Sequence, residues 1–285
     1  MTRVSNSPVS AKVPAPAPAI SRHHRSLFLS DLHLGARACR ADRIMDFLSY
    51  NTADTIYLVG DIFDLWHPNA SAWTHDHDRV VQTILRRARD GTRVIYLAGN
   101  HDETVHRIFA WHFERIEVAS QVMHRTADGR SFLVLHGDSC DAAWQKSRLI
   151  TRIGSRIEDT LRAFDSTVKF LRRNLRAEGT GAIENLLVRF NKLLRMGNRY
   201  ERRLTDLARS QGAQGVICGH FHQAALHESY GLIYANCGDW VAAMTAITED
   251  DAGNLALLNW NECLQERPAI GALPQAAAHA RSVVR

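Results

Sequence analysis

The sequence has few cysteines: five among 285 residues, widely spaced and with no Cys-x-x-Cys pair. This spacing argues against a disulfide framework and against a cysteine-based structural zinc site, and it favours a reducing compartment. No run of about 18 apolar residues occurs, so no transmembrane helix is predicted. The stretch VPAPAPAI is interrupted by proline, unlike the apolar centre of a signal peptide. These absences together predict a cytoplasmic protein.

Proline and strand-like runs are both missing from residues 141–209. Apolar residues recur there at helical spacing, so two or three amphipathic helices are expected. The segment holds sixteen Lys and Arg against eight Asp and Glu, whereas the whole chain has a formal charge of +5. The positive charge therefore belongs to this segment, and the rest of the chain is net negative. We expect it to form an inserted, basic helical cap.

The sequence does contain five short apolar runs that each end at a polar residue, usually beside a glycine. Continuous runs rich in β-branched residues indicate strands that are buried on both faces. In α/β sheets the ligand crevice lies beyond the carboxyl ends of the strands, so these five ends should converge on one place. The polar residues that follow the runs are Asp31, Asp61, Asn100, His136 and His220.

The polar residues at the strand ends are of the types that bind metal ions. In Asp31-x-His33 and His220-x-His222, residues two positions apart on an extended segment face the same side. The candidate ligands comprise two carboxylates, four imidazoles and one amide: Asp31, His33, Asp61, Asn100, His136, His220 and His222. Mixed nitrogen and oxygen ligands suit Mn²⁺, Fe²⁺ or Zn²⁺. Seven ligands exceed the needs of one tetrahedral ion and suit two ions that share a carboxylate.

A site with two metal ions is suited to phosphoryl chemistry. Ions about 3.5–4 Å apart activate a water and neutralise the phosphoryl oxygens during in-line attack, as in phosphoester or pyrophosphate cleavage. The leaving oxygen also needs a proton or a positive partner, and His101 beside Asn100 is the candidate for this role. Asp102 is the candidate for orienting that imidazole.

Five ordered motifs carry a resemblance to the calcineurin-like metallophosphoesterase superfamily. They are Asp31-Leu-His33, Gly60-Asp61-Ile-Phe-Asp64, Gly99-Asn100-His101-Asp102, His136-Gly137-Asp138 and Gly219-His220-Phe-His222. The resemblance implies an α/β fold with a β-sandwich core flanked by helices. It implies one ion on Asp31, His33, Asp61 and His222, and another on Asp61, Asn100, His136 and His220. It makes His101 the catalytic histidine and places Asp64, Asp102 and Asp138 around the ligands.

The expected domain organisation follows from these motifs and from composition. The core is broken by the basic cap, and both ends of the chain lack strand or helix patterns. We expect a disordered tail over residues 1–25, the metallophosphoesterase core over 26–140 and 210–265, the cap over 141–209, and a loose tail over 266–285.

A narrower resemblance is to the UDP-2,3-diacylglucosamine diphosphatase family of lipid A synthesis. It is carried by the insertion after Asp138 and by the motifs Asp61-Ile-Phe-Asp-Leu-Trp66 and Tyr234-x-Asn236-Cys-Gly-Asp239-Trp240. Enzymes of this family cleave the pyrophosphate of a UDP-linked diacyl sugar, which implies peripheral contact with the inner membrane surface. The best-defined members have Arg where this chain has His101, and the histidine form is similar to a second branch and to broader phosphodiesterases.

Several functions therefore remain open at the level of sequence. The alternatives to the acylated sugar nucleotide are a soluble nucleotide or phosphoprotein, and a nucleic acid cleaved by a nuclease. Aromatic residues for base stacking are sparse in the basic segment, which disfavours nucleic acid. A catalytically dead scaffold is disfavoured because every ligand position is filled.

Other aromatic and histidine residues invite weaker assignments. Trp66 and Trp144 closely follow active-site motifs and are candidates for substrate contact. His67, His75 and His77 are expected to be solvated loop residues rather than a further metal site. The sequence does not indicate an oligomeric state.

Overall fold

The computed structural model describes residues 22–65, 73–102, 115–140 and 198–265. Several of the sequence-based assignments lie outside the described residues. These are residues 1–21, Trp66, His67, Trp144, residues 141–197 of the expected cap, and the tail over 266–285. No helix within the described ranges is both long and apolar enough to cross a membrane.

Eleven strands of the described chain form two sheets. The six-stranded sheet contains β1 (Arg22–Leu29), β2 (Asn51–Val59), β3 (Arg93–Leu97), β4 (Ile116–Ala119), β10 (Thr245–Glu249) and β11 (Leu255–Asn259), in the order β11-β10-β1-β2-β3-β4. The five-stranded sheet contains β5 (Gln121–Arg125), β6 (Ser131–Leu135), β7 (Gly215–Cys218), β8 (Ala225–Ser229) and β9 (Leu232–Asn236), in the order β5-β6-β7-β9-β8. Strands β1, β2 and β3 run parallel to one another in the first sheet, and β6, β7 and β9 run parallel to one another in the second.

Helices cover the outer faces of both sheets. They are α1 (Ala41–Tyr50), α2 (His75–Arg89), α3 (198–210, within the described chain) and α4 (Trp260–Gln265), with a short 3₁₀ helix at Asp138–Cys140. Successive strand residues point to opposite faces. Leu27 and Leu29 of β1 therefore pack with α1 and α2, whereas Phe28 packs between the sheets. On the other sheet, Leu133 and Val216 pack against α3. This two-sheet α/β arrangement confirms the predicted fold class.

The five predicted strands are present and their apolar residues are buried, as expected for central strands. Three strands gave no clear pattern in the sequence, namely β4, β5 and β8. Each lies at the edge of a sheet and contains partly or fully exposed residues. Edge strands are covered on fewer sides, so their sequences need no continuous apolar run.

Two of the expected domain boundaries differ from those in the structure. Strand β1 begins at Arg22 rather than after residue 25, because Arg22 to His24 pair with Asn51 to Ala53 of β2. The last part of the expected cap belongs to the core, since Tyr200, Leu204 and Ala208 of α3 are buried against the five-stranded sheet.

His75 is exposed, as predicted, but it lies in a helix rather than a loop, and the interpretation of His77 as a solvated loop residue was wrong. His75 is the first residue of α2, and His77 is buried in the first turn of that helix. The Nδ1 of His77 accepts the backbone N–H of Thr74 at 3.0 Å, and its ring stacks on Trp73 at 5.2 Å between centroids. The histidine therefore caps the helix, a role that the polar character of the segment concealed.

A buried polar network joins the two sheets. His124 of β5 lies 2.9 Å from the Tyr57 hydroxyl through Nδ1 and donates from Nε2 to Glu249 at 2.9 Å. Arg25 reaches the other oxygen of Glu249 at 2.5 Å. Burial alone would raise the pKa of Glu249, but the hydrogen bond from His124 and further hydrogen bonds outweigh it and lower that pKa to about 2. Glu249 is therefore ionised and paired inside the sandwich.

We expect Glu249→Gln to destabilise the protein by about 3 kcal/mol in urea unfolding, because it leaves the partners of a buried charge unpaired. The pKa of Glu249 is lowered from 4.5 to about 2, so its stabilising contribution is full above pH 4.5 and disappears as the pH falls towards 2. That acid-dependent part should be missing in the variant. The control is Glu117→Gln, which breaks an exposed pair with Arg93 and should cost under about 1 kcal/mol. Equal losses in both variants would contradict the assignment.

Candidate metal centre

The carboxyl ends of five strands bring the candidate residues together. Asp31 follows β1, Asp61 follows β2, Asn100 follows β3, His136 follows β6 and His220 follows β7. The backbones of Asp31, His33, Asp61, His220 and His222 have φ between 48° and 69°. Such left-handed conformations are costly for residues other than glycine and cluster at functional sites. The surrounding structure holds five of the candidate ligands in this strained form.

One group consists of Asp31, His33 and His222, whose candidate ligand atoms all lie within 4.8 Å of one another. The Nε2 atoms of His33 and His222 are 3.3 Å apart. His222 Nε2 lies 3.1 Å from Asp31 Oδ1, and His33 Nε2 lies 3.8 Å from the same oxygen. Three electron-pair donors therefore face one small space.

A second group consists of Asp61, His136 and His220. His136 Nε2 lies 3.3 Å from Asp61 Oδ2 and 3.3 Å from Asn100 Oδ1. His220 Nδ1 lies 3.1 Å from the same amide oxygen. The opposite nitrogen of His136 donates to the Val59 carbonyl at 2.9 Å, so Nε2 is left to face the other residues of the group.

His101 lies between the two groups. Its ring meets His33 edge to face at 4.8 Å between centroids, and its Nε2 is 3.9 Å from Asp61 Oδ2. Its Nδ1 is 3.2 Å from Asp64 Oδ1. His33, Asp64 and His101 also form a third set whose ligand atoms lie within 4.8 Å. The imidazole is thus anchored on one nitrogen and presents the other to the site.

The expectation that Asp102 orients His101 was wrong, because the structure places Asp64 in that position. The fully buried carboxylate of Asp102 instead accepts the backbone N–H of Gly99 at 2.8 Å and that of Ile62 at 2.7 Å. Burial, together with the negative charge of Asp61, raises the pKa of Asp102. Asp102 therefore ties the loop after β2 to the loop after β3.

Two further carboxylates lie around the groups. Asp138 is half-buried at the start of the 3₁₀ helix, and its charge is among those that favour protonation of His136. Asp239 belongs to the motif Tyr234-x-Asn236-Cys-Gly-Asp239-Trp240, but the sequence indicated no role for it. Its Oδ2 lies 3.4 Å from His222 Nδ1. No spacing rule indicated this contact, because the two residues come from different loops.

The electrostatics of the site are dominated by buried carboxylates and imidazoles. Burial opposes ionisation of Asp61, but His136, His101 and His33 outweigh it and hold its pKa well below the usual range. Burial likewise opposes protonation of His136, but Asp61 outweighs it and raises the pKa of His136 to about 10. For His33 burial prevails and lowers the pKa. The carboxylates of Asp31 and Asp61 are therefore ionised and attract positive charge.

The chemistry of the donor set fits divalent cations. Asp31 Oδ1 is buried and has no hydrogen-bond partner within the described residues. Two imidazole nitrogens face each other beside it, and nitrogen with carboxylate ligation suits the mid-series divalent metals. A cation at this point would satisfy a buried oxygen that otherwise carries a desolvation cost.

Glycine is required at two motif positions because a neighbouring side chain approaches the backbone closely there. A side chain at Gly60 would overlap the His136 ring, and one at Gly99 would overlap the Asp61 carboxylate. Only glycine lets the neighbouring loops come close enough to bring ligands from different strands together.

Comparisons with known proteins identify a family and several similar proteins. The family profile described as calcineurin-like phosphoesterase matches residues 24–224, a range that includes all five strand-end motifs. UDP-2,3-diacylglucosamine hydrolase of Nitrosococcus oceani is 24% identical over 233 residues, which cover 78% of this chain and 90% of that protein. The protein of the same name from Chromohalobacter salexigens is 28% identical over 224 residues, with 71% and 82% covered. Among solved structures, Yfce, a phosphoesterase from E. coli, gives a TM-score of 0.41 at 13% identity, with 83% and 99% covered.

Proposed function

We propose a specific reaction for this protein on the premise that the chain belongs to the calcineurin-like phosphoesterase family. Membership makes the chain a phosphoester hydrolase that uses divalent metal ions. The reaction that we propose is hydrolysis of the pyrophosphate in a UDP-linked diacylated glucosamine, which releases UMP and a diacylglucosamine 1-phosphate. The observation that carries this proposal is the similarity to relatives named for that substrate over most of their length.

We assign the two groups of side chains to two ions, with Mn²⁺ favoured and Fe²⁺ or Zn²⁺ as alternatives. Asp31, His33 and His222 would hold one ion and Asn100, His136 and His220 the other, with Asp61 shared. When bound, such ions activate the attacking water and stabilise charge on the phosphoryl oxygens.

His101 supplies the remaining chemistry in this proposal. Asp64 holds its Nδ1, and Nε2, on the side of Asp61, would donate a proton or present positive charge to the leaving oxygen. The strained loops fix these side chains before substrate arrives, so little reorganisation is needed during the reaction.

The position of the basic insertion in the chain favours an acylated substrate. The described chain stops at Cys140, just after Asp138, and resumes at residue 198 in α3. The ring of Tyr200 in α3 lies 6.0 Å from His220 and 4.3 Å from Phe221. The described residues on either side of 141–197 therefore lie near the site. Basic residues contribute about 1 kcal/mol each at an anionic membrane surface, and buried methylenes about 0.8 kcal/mol each. Such a segment suits an acylated, anionic substrate at the inner membrane face.

A soluble phosphodiester is the second candidate substrate. His101 favours it, because the best-defined enzymes of the lipid family have Arg at this position. A substrate panel with added Mn²⁺ separates the candidates: UDP-2,3-diacylglucosamine, bis-p-nitrophenyl phosphate, a cyclic nucleotide and single-stranded DNA. We expect the acylated sugar nucleotide to give the highest kcat/KM. Preference for the cyclic nucleotide or DNA would overturn the proposed substrate and leave the phosphoesterase intact.

We predict that a short Gly/Ser linker in place of residues 141–197 changes substrate preference. The replacement stops at 197 because α3 packs on the core. Hydrolysis of bis-p-nitrophenyl phosphate should be largely retained, whereas turnover of the diacylated substrate and binding to anionic liposomes should be lost. The control for general charge effects is Arg86→Gln with Arg89→Gln, two exposed positions of α2 outside the insertion. Equal losses on both substrates, in a folded protein with bound metal, would contradict a role in lipid selection.

A further inference from the structure

Asp239 occupies a fixed position beside the candidate ligand His222. It is buried in the loop after β9, and its Oδ2 lies 3.4 Å from His222 Nδ1. The opposite nitrogen of the same ring, Nε2, lies 3.1 Å from Asp31 Oδ1 and 3.3 Å from His33 Nε2. The imidazole therefore stands between a carboxylate behind it and the candidate metal position in front of it.

The other oxygen of Asp239 is committed to the backbone of the loop. Its Oδ1 accepts the N–H groups of Val241, Ala242 and Ala243 at 2.9, 2.6 and 3.0 Å. The neighbouring N–H of Trp240 donates to the Asp31 carbonyl at 3.1 Å. Since three donors fix Oδ1 and the loop is tied to Asp31, the direction of Oδ2 towards His222 is determined by the fold.

We propose that Asp239 is a positioning residue that selects the ring tautomer of His222. A carboxylate accepts hydrogen bonds and does not donate them when ionised, so it keeps a proton on Nδ1 and makes Nε2 the nitrogen that would bind a cation held with Asp31 and His33. Histidines that bind metals commonly donate their other N–H to a carboxylate or a backbone carbonyl. The Val59 carbonyl accepts such a bond from His136 at 2.9 Å, and the Asp239 carboxylate lies 3.4 Å from the corresponding nitrogen of His222.

The substitution Asp239→Asn distinguishes the functions of the two carboxylate oxygens. The three backbone donors require an acceptor, so the amide oxygen stays in the position of Oδ1 and the amide nitrogen faces His222. A donor at that point favours the tautomer with the proton on Nε2, which has no lone pair for an ion. Asp239→Ala removes both functions and is expected to destabilise the loop as well.

The matched control is Asp250→Asn in the loop between β10 and β11. Asp250 Oδ1 also accepts backbone N–H groups, from Ala252 at 2.9 Å and Asn254 at 2.8 Å. Its Oδ2 receives the side-chain amide of Asn254 at 2.9 Å rather than a histidine. The control therefore repeats the turn-capping function and the charge change without the contact to a candidate ligand.

The first measurement is the binding of Mn²⁺ to the whole protein by calorimetry. We expect Asp239→Asn to weaken the binding of one ion by about 10- to 100-fold, and Asp250→Asn to leave it unchanged. The urea midpoint of the metal-free protein should change equally little in both variants. Unchanged Mn²⁺ affinity in Asp239→Asn would overturn the proposal, as would a loss of affinity matched by an equal loss of metal-free stability.

The second measurement is the protonation of His222 Nδ1 in the metal-free protein, from ¹⁵N shifts of its ring. Nδ1 should carry a proton in the wild type, where Asp31 also favours a proton on Nε2, whereas only Nε2 should carry one in Asp239→Asn. The same state of Nδ1 in both proteins would overturn the proposal. The inference rests on the proposed metal site, but this readout needs no ion. If the wild type fails to bind two Mn²⁺ ions, the dinuclear assignment fails while the tautomer result still decides the role of Asp239.

Discussion

Replacing Asp61 by asparagine should reduce hydrolysis by roughly 10⁴-fold, the scale on which removing one member of a catalytic unit acts. The Asp61 carboxylate is buried and ionised, lies 3.3 Å from His136 of the second group and interacts electrostatically with His33 of the first. In the proposed site its charge would therefore balance both cations. Asn is preferred to Ala because Asp61 Oδ1 accepts the His101 backbone N–H at 2.8 Å, and the amide oxygen can keep that bond.

The measurement is kcat/KM on bis-p-nitrophenyl phosphate together with metal content by mass spectrometry. At least one ion per chain should be lost from Asp61→Asn, because the remaining neutral amide compensates less of the cationic charge. The control is Asp206→Asn on α3, where an exposed carboxylate pairs with Arg209. An active Asp61→Asn protein that retains two ions would show that Asp61 is not the shared ligand.

Replacing His101 by alanine should lower turnover by about 10²- to 10⁴-fold while both ions stay bound. The ring is assigned to the leaving oxygen rather than to a metal, so its loss removes proton donation or positive charge without removing a ligand. A substrate with a good leaving group needs less help, and p-nitrophenyl esters should therefore be affected less than the sugar nucleotide. The substitution Asp64→Asn, which is a smaller chemical change, should also lower turnover, because the Asp64 carboxylate holds His101 Nδ1.

Metal content decides between the two roles that the geometry permits for His101. The ring belongs to a set with His33 and Asp64 whose ligand atoms lie within 4.8 Å, so a ligand role is the alternative. A parallel fall in bound metal and in activity would show that His101 is a ligand. The variant His101→Arg adds a further comparison, since it keeps positive charge but is a poor acid. Activity restored by Arg would identify charge stabilisation as the function.

The sequence by itself determined the central part of the fold. The β1, β2, β3, β6 and β7 strands are buried on both faces, so each needs a continuous apolar run that is visible locally. The polar residue that ends each run is also visible locally, as are glycines such as Gly60 and Gly99 that permit close approach. Strands β4, β5 and β8 were not recognised because half-exposed edge strands carry no such run.

Only the tertiary structure decided which side chains face one another. The sequence suggested Asp102 as the partner of His101 because the two are adjacent, whereas the structure places Asp64 there. The contact between Asp239 and His222, and the buried link from His124 to Glu249, join residues on different strands and loops. Periodicity and motif spacing report burial and local geometry along one segment. The orientation of a ring, its tautomer and its partner depend on packing between segments that are distant in the chain, and local sequence does not encode that packing.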